Sequence, residues 1–193
     1  MGGDIRIGIS GWTYPPWRGR FYPEGLAQAR ELEYASRRFR SIEINGTFYG
    51  LQKPAAFADW RARTPEDFVF SVKASRYITH IRRLKEVEVP LANFLASGLL
   101  ALGPKLGPIL WQFPPGMKFD RDRFARFFDL LPADTEALAK RAKRHDARLN
   151  GRSALTPEAR RPVRHPVEIR HESFRDPAFV DLLRERGLAP VCA

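Results

Sequence analysis

Along the chain, short apolar runs rich in β-branched residues alternate with longer stretches whose apolar positions recur every three or four residues, the mark of repeated βα units. The short runs predict strands at Ile5–Ser10, Ser41–Asn45, Phe68–Lys73, Ile109–Phe113, Val167–Arg170 and Ala189–Cys192, and the longer ones predict helices at Leu26–Arg38, Ala55–Arg63, Val89–Leu102, Asp120–Leu130 and Pro177–Arg186. Asp120 is placed to cap the fourth helix, Asp176 before Pro177 to open the fifth, and Gly103-Pro104 to stop the third. Strand side chains alternate with period two, so Ile7, Ile9, Ile42, Ile44, Phe70, Val72, Val167 and Ile169 share one face, towards the helices. The opposite face carries Arg6, Ser10, Glu43, Asn45, Ser71, Lys73, Gln112, Glu168 and Arg170. A parallel sheet covered on both sides reads as nearly continuous apolar runs. One polar face points instead to a closed barrel whose lumen holds a hydrogen-bonded, charge-compensated set.

Residues 134–166 break this rhythm. A charged helical stretch, Thr135–Leu149, leads into Asn150-Gly151-Arg152-Ser153 and a run rich in Pro and Arg that ends at Pro166, which reads as a basic insertion between the fourth helix and the fifth strand. Its plain reading is a solvated excursion on the outside of the barrel; its sharper one is an arm that closes over a polyanion. The other 160 residues supply five βα units and a sixth strand, whereas an eightfold barrel takes about 250 residues. The expected domain is therefore single, 1–193, and incomplete at its C-terminus, with first and last strands left as open edges that invite self-association.

Composition narrows the function classes. The 193 residues are 44% hydrophobic and 28% charged, which fits a globular chain and excludes global disorder. The longest apolar run, Phe94–Gly103, is too short to span a bilayer, and Met1-Gly2-Gly3-Asp4 shows no signal-peptide or myristoylation pattern, so no membrane association and a cytoplasmic location are expected. Cys192 is the single cysteine, which excludes an intrachain disulfide or a cysteine-rich metal site. The net charge is +11, and residues 134–166 hold nine basic and four acidic side chains of that balance. Arg outnumbers Lys 26 to 7, a bias that a GC-rich genome produces without selection for phosphate contacts. No phosphate-binding glycine loop, nucleophile elbow or dinucleotide fingerprint is present.

Several blocks follow one another in order: Gly8-Ile9-Ser10-Gly11-Trp12-Thr13-Tyr14 with Trp17, Gly19 and Phe21-Tyr22-Pro23; Glu43-Ile44-Asn45-Gly46-Thr47-Phe48-Tyr49; Phe70-Ser71-Val72-Lys73 with Ile78-Thr79-His80; Leu110-Trp111-Gln112-Phe113-Pro114-Pro115; and Val167-Glu168-Ile169-Arg170-His171-Glu172-Ser173-Phe174. In these blocks the sequence resembles the YecE-like family, known as domain of unknown function 72. The resemblance spans nearly all of the chain outside 134–166. It implies an α/β fold of the TIM (β/α)8 type, here truncated after the sixth strand, with a polar site at the carboxyl ends of the strands and no established reaction.

Each block ends where a barrel strand gives way to its loop, the place where such folds bind ligands. Glu43, Glu168 and His171 are the candidates for acid–base work. Lys73, Arg170 and His171 are placed to hold an anion or a developing oxyanion. Asn45, Thr47, Tyr49 and Gln112 offer neutral donors and acceptors, His80 lies at a strand exit, and Trp12, Tyr14 and Trp17 can form an aromatic wall for a base or sugar. Against these stand plain readings: charges satisfying one another inside the lumen, turn capping, and aromatic packing at a barrel end. A Schiff-base role for Lys73 competes with simple ion pairing. A metal held by Glu43, His80, Glu168 and His171 lacks supporting ligand spacing, and no cofactor is named by the sequence. The leading expectation is an enzyme or binder acting on a small anionic, sugar-like or phosphorylated compound. The alternatives are a nucleic-acid-binding module with the architecture of endonuclease-four-type barrels, and an inactive fragment.

Overall fold

The structure, a computed structural model, describes residues 5–192. Six parallel strands, β1 (Gly8–Ser10), β2 (Ser41–Ile44), β3 (Val69–Lys73), β4 (Leu106–Gln112), β5 (Pro166–Glu168) and β6 (Ala189–Pro190), form one sheet in which each strand lies beside the next in sequence. The helices are α1 (Glu31–Ser36), α2 (Gly46–Tyr49), α3 (Pro54–Ala62), α4 (Glu88–Ala96), α5 (Arg121–Phe128), α6 (Thr135–Ala142) and α7 (Pro177–Glu185). Parallel crossovers are right-handed, so an order that never reverses sends every connection to the same face. That face is apolar: Ile42, Ile44, Phe70, Val72, Ile109, Trp111 and Val167 are all fully buried. Trp111 packs edge-on against Phe94 of α4 and Phe127 of α5. Each such side chain contributes about 1.5–3 kcal/mol by leaving water.

The other face is the polar one, and register puts its members side by side. Ser10 lies opposite Glu43, Glu43 opposite Ser71, Lys73 opposite Leu110 and Gln112 opposite Glu168. Among the described residues, β1 and β6 are the two edges of the sheet. On β1, the Ile7 carbonyl accepts from Arg40 N–H and Gly11 N–H donates to Glu43, so odd-numbered residues address β2. Ser10 addresses the open side, where its carbonyl accepts the Tyr14 hydroxyl at 2.5 Å. On β6, Ala189 and Val191 donate inward to His165 and Val167, which turns position 190, a proline, outward.

Several expectations are corrected. Strand one begins at Gly8 rather than Ile5; Ile5 and Ile7 are 86% and 72% exposed, because no element among the described residues covers this side of β1. The first helix is reduced to a 3₁₀ turn, Gln28–Arg30, and the short α1, neither with a side-chain cap. The third helix stops at Ala96, well before Gly103: Gly98 takes φ +140° and a Cβ there would lie 2.3 Å from the Phe57 ring, so the chain turns at Gly98. Two elements that periodicity does not announce are α2 and a π-helical turn at Tyr77–Ile81, each too short to show a repeat. Asp120 and Asp176 cap α5 and α7, accepting from Arg123 N–H and Ala178 N–H.

Residues 134–166 are not a solvated excursion. Thr135, Leu138, Ala139, Ala142, Leu149, Val163 and His165 are buried, and α6 lies against α4. The charges sit on the outer side, with Arg148 paired to Asp146 and Arg160 to Asp134. At the opposite end of the sheet from the strand exits, the buried Lys105 ammonium donates to the carbonyls of Arg61 and Thr64 at 2.6 and 2.7 Å, closing the C-terminal end of α3. No helix among the described residues is long and apolar enough to cross a membrane.

Candidate functional site

The carboxyl ends of β1, β2 and β3 open into a cavity of about 510 Å³, within the range of small-molecule sites. After β1, Gly11 at φ +74° turns the chain so that Trp12 and Tyr14 face inward; a Cβ at Gly11 would lie 2.8 Å from the Tyr14 oxygen. Trp12 meets Trp60 of α3 edge-on, with ring centroids 5.4 Å apart. Tyr14 leans on Trp17, which itself packs against Phe21 and Tyr22 behind the wall. The Tyr22 hydroxyl donates to the Trp12 carbonyl, and its pKa is pushed up to about 12 by burial and by the neighbouring Glu31 and Tyr14. After β2, α2 places Phe48 and Tyr49 on the opposite wall, and the Thr47 hydroxyl lies 2.8 and 2.7 Å from the carbonyls of Ile44 and Lys73, tying β2 to β3.

Polar groups converge on this aromatic cleft. Among the described residues, Lys73 is the only one in the lining with a formal charge. Its ammonium lies 3.9 Å from Glu43 and 5.3 Å from the centre of the Phe48 ring. Glu43 stands behind Lys73 rather than in the lining, and accepts from the Ser10 hydroxyl at 3.1 Å. Asn45 donates to Ser10 Oγ at 2.8 Å, which leaves its buried Oδ1 with no hydrogen-bond partner among the described residues. An orphaned buried acceptor costs about 1–3 kcal/mol, and a ligand N–H or O–H would remove that cost.

The remaining sequence candidates divide. Gln112 lines the cavity, and its amide also lies 2.8 and 2.7 Å from the two oxygens of the buried Glu168. Arg170 donates twice to the same carboxylate, at 3.0 and 2.8 Å, so Glu168 has its acceptor capacity largely filled. His171 is not brought to the cavity. Its Nδ1 accepts from Ser173 N–H at 3.1 Å, closing the turn at Glu172–Arg175. His80 stands beside the cavity rather than in its wall, edge-on to Phe48 at 5.1 Å, with Nδ1 2.8 Å from the Thr79 hydroxyl. Burial, and then the positive charges of Arg76, Lys73 and Arg170, hold its pKa below the usual histidine range. No three His, Cys, Asp or Glu residues converge among the described residues, so the four-residue metal set is not assembled.

Trp60, Phe48 and Gln52 line the cavity without having been singled out by sequence reasoning. Trp60 sits on a helix where an aromatic residue reads as core, and only its pairing with Trp12 across the chain reveals it. Phe48 lies inside the quoted block ending at Tyr49, so its place in that block was the available signal.

A family model described as "Protein of unknown function DUF72" matches residues 6–193. Among curated proteins, the chain is 32% identical over 110 residues to the UPF0759 protein YecE of Escherichia coli K12, covering 57% of this chain and 38% of that protein. It is 29% identical over 132 residues to the UPF0759 protein YunF of Bacillus subtilis, covering 63% of this chain and 44% of that one. The chain thus matches about two fifths of the length of these relatives. Among solved structures, a DUF72 family protein of Thermotoga maritima, TM1631, superposes with a TM-score of 0.68 at 25% identity, over 96% of this chain and 63% of that one. A second, EF0366 of Enterococcus faecalis, gives 0.64 at 18% identity over 97% and 60%.

Proposed function

This chain belongs to the DUF72 family of proteins of unknown function, and from that premise we propose that it binds a small, ring-bearing anionic compound in the aromatic cavity at the exits of β1–β3. The supporting observation is the lining itself: aromatic rings on both sides and, among the described residues, a single cation in Lys73 and an Asn45 Oδ1 without a hydrogen-bond partner. Flat rings favour stacking by a sugar or base face. Lys73 supplies the charge that an anionic substituent seeks, strengthened by the low-dielectric wall around it. Asn45 selects a ligand that offers a donor. The sheet, with all connections on one face and its polar groups on the other, is read as six strands of a (β/α)8-type wall.

Of the three acid–base candidates, Glu43 suits proton transfer best. Glu168 is occupied by Gln112 and Arg170, and His171 by Ser173, whereas Glu43 accepts a hydrogen bond from Ser10 and has only a 3.9 Å contact with Lys73. Because Trp12 and Trp60 form the wall, tryptophan emission reports occupancy directly. A panel of carboxylated and phosphorylated sugars and nucleosides is expected to include a saturable quencher whose effect is lost in Trp12→Ala and weakened at least tenfold in Lys73→Met. A panel with no saturable quencher, or a Lys73→Met variant that binds as tightly as wild type, would refute the assignment.

A further inference from the structure

Beside the aromatic cavity lies a second constellation, in which the lining residues Phe48, Tyr49 and Lys73 meet Arg76, His80 and Arg170 from outside the lining. The ring of Phe48 joins the two: Lys73 sits over it at 5.3 Å and the His80 ring meets its edge at 5.1 Å. Tyr49, next along α2, packs edge-on to Phe48 at 5.1 Å and carries the Arg76 guanidinium 6.0 Å from its ring centre. Arg76 has no carboxylate partner among the described residues, and the field of Arg170 reaches the same imidazole from the exit of β5. Lys73 and Arg76 thus reach the neighbourhood of one histidine through the Phe48 and Tyr49 rings, and Arg170 adds its field from the segment after β5. The two nearby carboxylates, Glu43 and Glu168, are each already engaged by one of those cations. One positive charge, that of Arg76, then remains without a carboxylate partner among the described residues.

We propose that this exit of β3 is a subsite for the phosphoryl group of a phosphomonoester, held by Lys73, Arg76 and Arg170, with His80 Nε2–H donating to one of its oxygens. The inference rests on the cavity reading above, because it places the anionic end of the same ligand. A phosphomonoester carries about −1.5 to −2 charge at neutral pH and three acceptor oxygens, matching more than one cation, whereas a carboxylate is satisfied by Lys73 alone. The hydroxyl of the fully buried Thr79 lies 2.8 Å from His80 Nδ1, and in the proposed complex it donates to that nitrogen so that the ring proton is on Nε2. Cations around an imidazole disfavour its charged form, and an anion bound among them reverses that effect.

The test follows the His80 ring by NMR as pH is varied, with inorganic phosphate or with chloride at matched ionic strength. The resonance is assigned with His80→Asn. Phosphate is expected to raise the His80 midpoint saturably, by about half a pH unit or more, and chloride to leave it in place. Arg76→Ala should weaken phosphate binding at least tenfold while leaving the resonance dispersed and the fold intact. A phosphate response absent at His80, or undiminished in Arg76→Ala, overturns the subsite. The two readings separate cleanly in one pair of titrations: a nucleoside that quenches tryptophan emission while phosphate leaves His80 unmoved retains the cavity and removes the subsite. Phosphate that moves His80 when no ring compound quenches does the opposite.

Discussion

Replacing His165 with leucine tests how the buried side of the sheet is organised. His165 is 5% exposed and Trp111 is fully buried; Trp111 Nε1–H donates to His165 Nδ1 at 3.0 Å, and His165 Nε2 lies 2.8 Å from the Pro132 carbonyl. Since Nδ1 must accept, the proton is on Nε2 and the ring is neutral. Burial holds its pKa below the ordinary value of 6.5, with the Pro132 bond opposing. The leucine variant strands the Trp111 N–H, at a cost of about 1–3 kcal/mol at every pH. It also removes a pH dependence. The unfolded chain binds a proton on this histidine below about pH 6.5 that the folded one resists, so stability is fully present above that pH and falls as pH drops. The loss from this one group reaches at most about 1.4 kcal/mol at pH 5.5. His80, whose pKa is depressed as well, adds a dependence of the same sign in both proteins. Urea unfolding followed by circular dichroism at about pH 7.5 and pH 5.5 therefore compares the two proteins. Wild type should lose more stability than His165→Leu across that interval; an identical loss in both would refute a neutral, proton-resisting His165.

Three further outcomes are expected. Lys105→Met removes the ammonium that donates to the carbonyls of Arg61 and Thr64, of which Arg61 keeps the Thr64 hydroxyl at 3.2 Å, and should lower unfolding stability by about 1–3 kcal/mol, measured by urea midpoints. Gly98→Ala combines φ +140° with a Cβ placed 2.3 Å from the Phe57 ring; it should lower the melting temperature more than Gly151→Ala, where φ is +70° and the space is open. Gly11→Ala forces Tyr14 or the turn to move, so it should weaken ligand quenching of Trp12 more than it lowers the melting temperature.

The alternation of faces was legible because it depends only on period two and a single solvent-exposed side, and Ile42, Ile44, Phe70, Val72 and Val167 obey it. Boundaries failed where tertiary geometry outranks pattern: Gly98 ends a helix because Phe57 occupies the space of a side chain, and Ile7 is exposed because β1 is an edge. Within the site, Trp12, Tyr14, Asn45, Tyr49, Lys73 and Gln112 meet in one cavity. Their selection came from standing at strand exits. His171 stands at such an exit too, yet its nitrogen is used two residues onward, a local bond that spacing alone does not distinguish from a ligand contact. Trp60 and the burial of residues 134–166 were out of reach for a related reason, since both depend on partners distant in the chain.

The two margins of the described sheet carry a consequence for how these six strands behave when crowded. A strand joining β1 from outside would find the Ser10 carbonyl already taken by the Tyr14 hydroxyl, and one joining β6 would meet no donor at Pro190. Either ladder would start with a missing rung. Unprotected margins of parallel sheets nucleate fibrils by templating an incoming strand along an unbroken row of donors and acceptors; here the row is interrupted on both sides. Tyr14 thus stands in two places that a single substitution would separate: Tyr14→Phe keeps the ring in the cavity wall but frees the Ser10 carbonyl, and so tests this bond as a control on solubility.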